Sequence, residues 1–239
     1  MIDVMKLYWK LYAEWFSNEQ LLSGFNNPVK DYSTESTGKI IDIGCGQSSY
    51  LLDFLDSNFE LFAIDTDEMQ LNYLSDRVKE SGYEANRLNY SSNEFSSENF
   101  KDTFFDAIII SNLLHFFTKP NASDFISQIK QHCKTGTLIS IIVHSEEHLT
   151  SKNEITSKSY FKSFYTKSDL HNMFPKSEYE YLYYAEKEKL PDAYETEFLK
   201  HWINELLRGI YDNKQIQKEQ EKYFKKSRIN SLELLVRKR

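Results

Sequence analysis

Ile41-Asp42-Ile43-Gly44-Cys45-Gly46 ends a short apolar run, Lys39 to Ile43, on a pair of glycines, and Asp65 stands nineteen residues beyond Gly46 at the end of a second run, Phe59 to Ile64. A glycine turn at the carboxyl end of a first strand lets a ligand approach the backbone closely, and an acid ending the second strand can take both hydroxyls of a ribose. The pairing describes an adenosine-containing ligand. A nicotinamide dinucleotide would require Gly-x-Gly-x-x-Gly opening the helix, with its pyrophosphate on the helix N-terminus. Here Ser48, Ser49 and Tyr50 occupy the place of the third glycine, and Asp42 stands two residues before the first. A carboxylate there repels pyrophosphate and suits a ligand carrying positive charge.

Outward from this stretch, Phe105 to Ile110 and Thr137 to Val143 read as further buried strands, the latter after a Lys134-Thr135-Gly136 turn, with a weaker strand at Ala85 to Leu88. Helical spacing covers Ser49 to Ser57, Asp67 to Ser81 with Gly82 as its stop, and Asn121 to Cys133. Strand alternating with helix implies right-handed crossovers and an open, mostly parallel sheet. Ser145 to Ser163 reads as a loop or lid, Thr166 to Phe174 as a capped helix, Tyr179 to Glu186 as a strand, Tyr194 to Phe224 as helix broken near Gly209, and Ser231 to Arg237 as the last strand. Two late strands after a parallel set suggest an antiparallel edge. The expectation is therefore an α/β, doubly wound, mostly parallel seven-stranded sheet with an antiparallel edge strand, an aromatic N-terminal helix and a helical insertion before the last strand.

These residues, together with Ser111-Asn112-Leu113-Leu114-His115-Phe116 after the fourth strand, resemble the class I S-adenosylmethionine-dependent methyltransferases over about residues 38–144 and the two closing strands. The resemblance implies that Gly44 and Gly46, with Cys45 between them, cradle the methionine part of the cofactor. It implies further that Asp42 helps to order the loop and the ammonium, that Asp65, next to Thr66, grips the ribose, and that Ser111 and Asn112 border the methionine moiety. Ser48 stands where the family usually has a third small residue. Asn89, followed by Tyr90, stands for the acid after the third strand and can accept from the adenine amino group through its side-chain oxygen. One methyltransferase unit over residues 1–239 is expected: 1–37 an N-terminal helical lid, 38–144 the cofactor-binding core, and 145–239 the acceptor-side lid, helical insertion and closing strands.

A sulfonium is already an excellent leaving group, so the protein's task is mostly to align the acceptor with sulfur and methyl and to exclude water. His115 and His144 fall at the ends of the fourth and fifth strands, where an acceptor pocket belongs, and either is a candidate general base; packing at a strand end is the competing role. Tyr8, Leu11, Tyr12 and Trp15 share one face of an N-terminal helix that either packs on the sheet or closes over the cofactor. Asp106, near the start of its strand, reads as structural.

Composition bounds the rest. Charged residues make up 27% of the 239 residues, with only 7 Gly and 4 Pro, and at this length a core forms without staples. Cys45 and Cys133 lie 88 positions apart with no ligand cluster around them, which argues against a disulfide framework and a metal site and fits a cytoplasmic protein. No stretch approaches the ~18 apolar residues of a membrane span, and Met1 to Gln20 lacks a signal-peptide pattern. The net charge of −7 is uneven: Lys214 to Arg239 carries nine Lys/Arg against three Glu. That tail supports the alternative of an RNA or protein methyltransferase. Nucleic-acid amino methylation is disfavoured, because Ser111-Asn112-Leu113-Leu114 replaces an Asn-Pro-Pro-Tyr-type motif. A small-molecule acceptor, modified at O, N or S, is the leading reading; a cofactor-binding module without transfer activity is the third. Oligomeric state has no signature in the sequence.

Overall fold

The computed structural model describes residues 4–148, 161–225 and 229–239. Its strands are β1 (Thr37–Ile43), β2 (Asn58–Ile64), β3 (Leu88–Ser91), β4 (Phe105–Ser111), β5 (Cys133–His144), β6 (Tyr179–Lys189) and β7 (Ile229–Lys238). They form one seven-stranded sheet in the order β3-β2-β1-β4-β5-β7-β6. β1 to β5 are parallel, while β7 runs antiparallel to both neighbours, so the reversed strand lies one place in from the rim and β6 forms the rim itself.

The sheet is covered on both faces because successive side chains of a strand point to opposite sides. Ile41, Ile43, Ile108 and Ile110 pack with Ala122, Ile126 and Ile129 of α6 (Lys119–Lys130) and Leu170 of α7 (Lys167–Met173). Ile40, Leu61, Ala63 and Ile109 pack on the other face with Leu51 of α4 (Ser49–Leu52) and with Leu71, Leu74 and Val78 of α5 (Glu68–Glu80). A third, smaller core lies apart from these. It joins α1 (Val4–Trp15), through Leu11 and the neighbouring Phe16, to Phe198 and Trp202 of α8 (Ala193–Leu207), which is the first half of the insertion before β7. α9 (Asn213–Phe224) is the second half, and the break between them contains Gly209 at φ 80°. Two short helices, α2 (Asn18–Leu22) and α3 (Pro28–Tyr32), link α1 to β1.

Three boundaries depart from the sequence expectation. The third strand is Leu88–Ser91, and Ala85–Arg87 is instead a 3₁₀ turn. Its cause is Arg87, whose guanidinium donates to the carbonyls of Phe54, Leu55, Ser57 and Phe59 and so holds the chain in a turn before the strand begins. The helix expected over Ser49 to Ser57 stops at Leu52, because Phe54 N and Leu55 N fall back to the carbonyls three residues earlier. Lys134-Thr135-Gly136 lies inside β5, where a register shift opposite Phe105 and Ala107 absorbs the extra residues. The main part of the lid expected over Ser145 to Ser163 lies outside the described residues.

Asp106 is structural, as its position suggested. It accepts from Lys39 N at 2.8 Å, pairs with Lys134 Nζ at 2.7 Å, and thereby fastens β1 to β4 and β5 at the end of the sheet remote from the glycine turn.

Candidate cofactor and acceptor site

The site is assembled where β1 leaves the sheet. Gly44 and Gly46 both take left-handed backbone, φ 68° and 50°, which non-glycine residues adopt only with strain. A Cβ on Gly44 would sit 2.7 Å from Leu113 Cδ1, so the turn also needs glycine for the close approach of the segment after β4. At Gly46 the corresponding space is open, with only Gln70 Oε1 at 4.0 Å, and forms a cradle at the backbone. Gly44 N and Cys45 N donate to Ile64 O, while Gly46 N donates to Asp65 Oδ2 at 2.8 Å. Asp65 Oδ1 accepts from Asp67 N at 2.9 Å. Each carboxylate oxygen thus makes one backbone contact and keeps acceptor capacity for a further donor. Burial raises the Asp65 carboxyl above its usual range, and the two backbone bonds oppose that rise.

Asp42 lies under the turn. Ser48, the N-cap of α4, donates its hydroxyl to Asp42 Oδ2 and accepts from Leu51 N, so the same residue closes the helix and steers the carboxylate. Asp42 Oδ1 is buried with no hydrogen-bond partner among the described residues. Desolvation pushes its pKa up to about 7, against the lowering effect of the Ser48 hydroxyl. Unpartnered buried carboxylate oxygens are costly, and this one borders the ligand cavity. Cys45 is buried, and burial pushes its thiol up, away from thiolate chemistry; both cysteines are free.

The cavity over this turn has a volume of about 1050 Å³. Asp42, Gly44, Cys45, Gly46, Asp65, Thr66, Ser111 and Asn112 all line it. Asn112 sits at φ 55°, held by its N–H to Ile142 O, and that kink turns Leu113 onto Gly44. One wall is aromatic and comes from the N-terminus, with Trp9 and Tyr12 of α1 and Phe25 after α2; another carries Phe95, Phe117 and Phe125.

Asn89 and Tyr90 are outside the lining. Asn89 is the second residue of β3 and donates to Leu61 O, within the sheet. Because β3 begins three residues later than the sequence pattern suggested, Asn93, Glu94 and Phe95 occupy the position beyond the strand's end and face the cavity.

His115 and His144 come together, but not on the cavity lining. Their rings stack 3.8 Å apart at 12°, and His148 stacks on the other side of His144 at 3.9 Å and 8°, with Phe161 edge-on to the pile. Burial keeps all three neutral: His115 is lowered to about 3, His148 to about 4, and His144 is lowered as well. Among the described residues, Nδ1 of His115 and of His144 finds no hydrogen-bond partner. Among the described residues, no group of three or more His, Cys, Asp or Glu is placed to hold a metal ion, and no helix is long and apolar enough to cross a membrane.

Sequence reasoning missed a polar network beside the turn. Gln47, directly after Gly46, donates from Nε2 to Trp9 O at 3.1 Å and accepts at Oε1 from Arg77 Nε and NH2 at 3.0 and 2.9 Å. Its place next to the glycine pair was the available signal; its burial and long-range partners were not.

Residues 40–136 match a family model described as a methyltransferase domain. No curated protein matches the sequence. Among solved structures, the chain resembles TehB from Haemophilus influenzae at 15% identity, with a TM-score of 0.57, covering 89% of this chain and 60% of that one. Coclaurine N-methyltransferase bound to N-methylheliamine and SAH is similar at 11% identity, with a TM-score of 0.62, covering 93% and 72%. A SAM-dependent methyltransferase from Methanosarcina mazei is similar at 13% identity, with a TM-score of 0.59, covering 90% and 98%. The family match assigns residues 40–136 a methyltransferase domain, and the solved structures share the fold of this chain.

Proposed function

We propose that this chain transfers a methyl group from S-adenosylmethionine to a small-molecule acceptor held over the carboxyl ends of β4 and β5. The observation that carries the reading is the buried, unpartnered Oδ1 of Asp42 at the edge of a cavity beside a left-handed glycine turn. The donor set fits the cofactor: Asp42 for the ammonium, the Gly44–Gly46 backbone for the methionine part, and Asp65 for the ribose. Asn93 and Glu94 are placed at the end of β3 for the adenine. When bound, the cofactor supplies an electrophilic methyl on a sulfonium.

The chain's own residues then have two tasks. The aromatic walls, Trp9, Tyr12, Phe25, Phe95, Phe117 and Phe125, exclude water and orient the acceptor. A positive group lying against Asp42 favours its ionised form, which couples its charge to occupancy. No histidine among the described residues lines the cavity, so alignment and desolvation carry this reading, with the stacked histidines holding strand ends. In this arrangement the chain works as one unit, with residues 38–144 holding the cofactor and residues 1–37 and 145–239 building the acceptor side and its cover.

The nucleic-acid alternative draws on the basic C-terminal segment, yet Lys222, Arg237 and Lys238 are each paired with a glutamate. Calorimetry with S-adenosylmethionine and SAH, followed by a labelled-methyl screen against pooled metabolites, tests the proposal. Absence of cofactor binding overturns it. Binding without transfer to any pool favours the module without transfer activity. Methylation of RNA with affinity falling steeply in salt favours the second reading.

A further inference from the structure

The α1–α8 core is separate from both cores that sandwich the sheet, yet α1 supplies Trp9 and Tyr12 to the wall of the cavity. What ties this cap to the glycine turn is polar. Arg77, on α5, is buried at 3% exposure, and its guanidinium spans two parts of the molecule. Nε and NH2 grip Gln47 Oε1, while NH1 donates to Phe16 O at 2.8 Å and Asn18 Oδ1 at 3.2 Å, directly after α1. Asn18 returns the contact, donating to Arg77 O at 2.6 Å and Ser81 Oγ at 2.9 Å. Gln47 completes the circuit with its donation to Trp9 O and a second to Gln70 Oε1 at 3.3 Å.

We infer that Gln47 and Arg77 form a latch that couples the N-terminal cap to the cofactor's glycine turn, so that cofactor binding and closure of the Trp9–Tyr12 wall reinforce each other; this rests on the methyl-donor reading of the site. The physical reason lies in the position of Gln47. Its backbone continues directly from Gly46, so any ligand that fixes the turn fixes the amide that holds Trp9 O. The fork of Arg77 makes four hydrogen bonds, all to neutral oxygens, with no carboxylate bonded to it among the described residues, so its geometry depends on Gln47 and the end of α1 both being in place. Gln47 and Arg77 are positioning residues under this inference, since they act through the turn and through Trp9.

All three tryptophans of the chain, Trp9, Trp15 and Trp202, sit in the cap, so tryptophan emission reports on that element alone. The experiment compares wild type with Gln47→Leu, Gln47→Glu and Arg77→Lys, each titrated with SAH by calorimetry and by tryptophan emission. Amide hydrogen exchange over residues 4–15 is followed with and without saturating SAH. In wild type, SAH shifts the emission and slows exchange across α1. In Gln47→Leu and Arg77→Lys, SAH still binds, about tenfold more weakly, the size of ordinary coupling between sites, and α1 gains no protection. Gln47→Glu, which keeps an acceptor for Arg77 but loses the donor to Trp9 O, retains part of the affinity and little of the protection. Equal protection of α1 by saturating SAH in wild type and all three variants overturns the latch while leaving the methyl-donor reading intact. Failure of the wild type to bind SAH overturns the methyl-donor reading and the latch together. Variants that melt earlier but keep affinity and protection assign Gln47 and Arg77 a purely structural part and also overturn it.

Discussion

At neutral pH, Asp42 is divided between its two protonation states, because burial raises it to about 7 while a positive ligand favours the ionised form. Its folded value lies above the unfolded one, so its share of stability is complete at low pH and is lost as pH rises through about 7. Cofactor binding runs the other way, since only the carboxylate attracts the ammonium. SAH affinity measured by calorimetry is therefore expected to rise from pH 6 to pH 8, and Asp42→Asn is expected to bind more weakly with that rise removed. A profile unchanged by the substitution moves the ammonium elsewhere. Asp65 braces Gly46 N and keeps spare acceptor capacity, which the proposed function assigns to the ribose. Asp65→Ala is expected to weaken SAH by about 1.5 to 3 kcal/mol, the scale of hydrogen bonds to a charged group. Unaltered affinity in the same titration would separate the ribose from this residue.

Among the elements, the ends of β4 and β5 are joined by the imidazole stack. His115 follows β4, His144 ends β5, and His148 lies in the turn beyond. Their folded values are depressed below the unfolded value of about 6.5, so the stability they contribute is present above that pH and is lost as pH falls toward 4 and 3. Urea unfolding at pH 7 and pH 5 is expected to show this loss, and replacing His144 by Phe is expected to reduce it. The same residues were candidates for the general base, and kinetics separates the roles. A base replaced by Ala lowers turnover by about 10² to 10⁴ with cofactor affinity intact, whereas a packing histidine lowers stability and leaves the folded fraction active. The stack's position off the cavity lining predicts the second result for both.

For the molecule as a whole, ligand binding to the folded state alone adds about 2.7 kcal/mol at 100 times the dissociation constant. For a chain of this size, S-adenosylmethionine is expected to raise the melting temperature by roughly 5 to 10 °C in a thermal-shift measurement. A nicotinamide dinucleotide should give no shift, because the third glycine of its turn is replaced by Ser48, Ser49 and Tyr50 and the Asp42 carboxylate repels a pyrophosphate. Equal shifts by the two ligands would contradict the site assignment.

The order of strands and helices, the glycine turn and the acid ending β2 were legible in the sequence, because each is a local pattern: apolar runs of strand length, glycines where left-handed backbone is needed, and Asp65 at a fixed spacing. Asp42 was legible for the same reason, standing two residues before Gly44. The cavity lining beyond β3 was not, since Arg87 delays the strand through bonds to carbonyls some thirty residues away, so that Asn93, Glu94 and Phe95 line the cavity and Asn89 and Tyr90 do not. Gln47, Arg77 and the end of α1 meet only through chain folding across separations of 30 to 61 residues. The histidine positions at the strand ends were readable, but whether their rings faced the cavity or one another was decided by packing against Phe161. Backbone pattern is written locally and survives reading one segment at a time; side-chain direction and buried polar partnership depend on which distant segment fills the neighbouring space, and only the tertiary structure determines that.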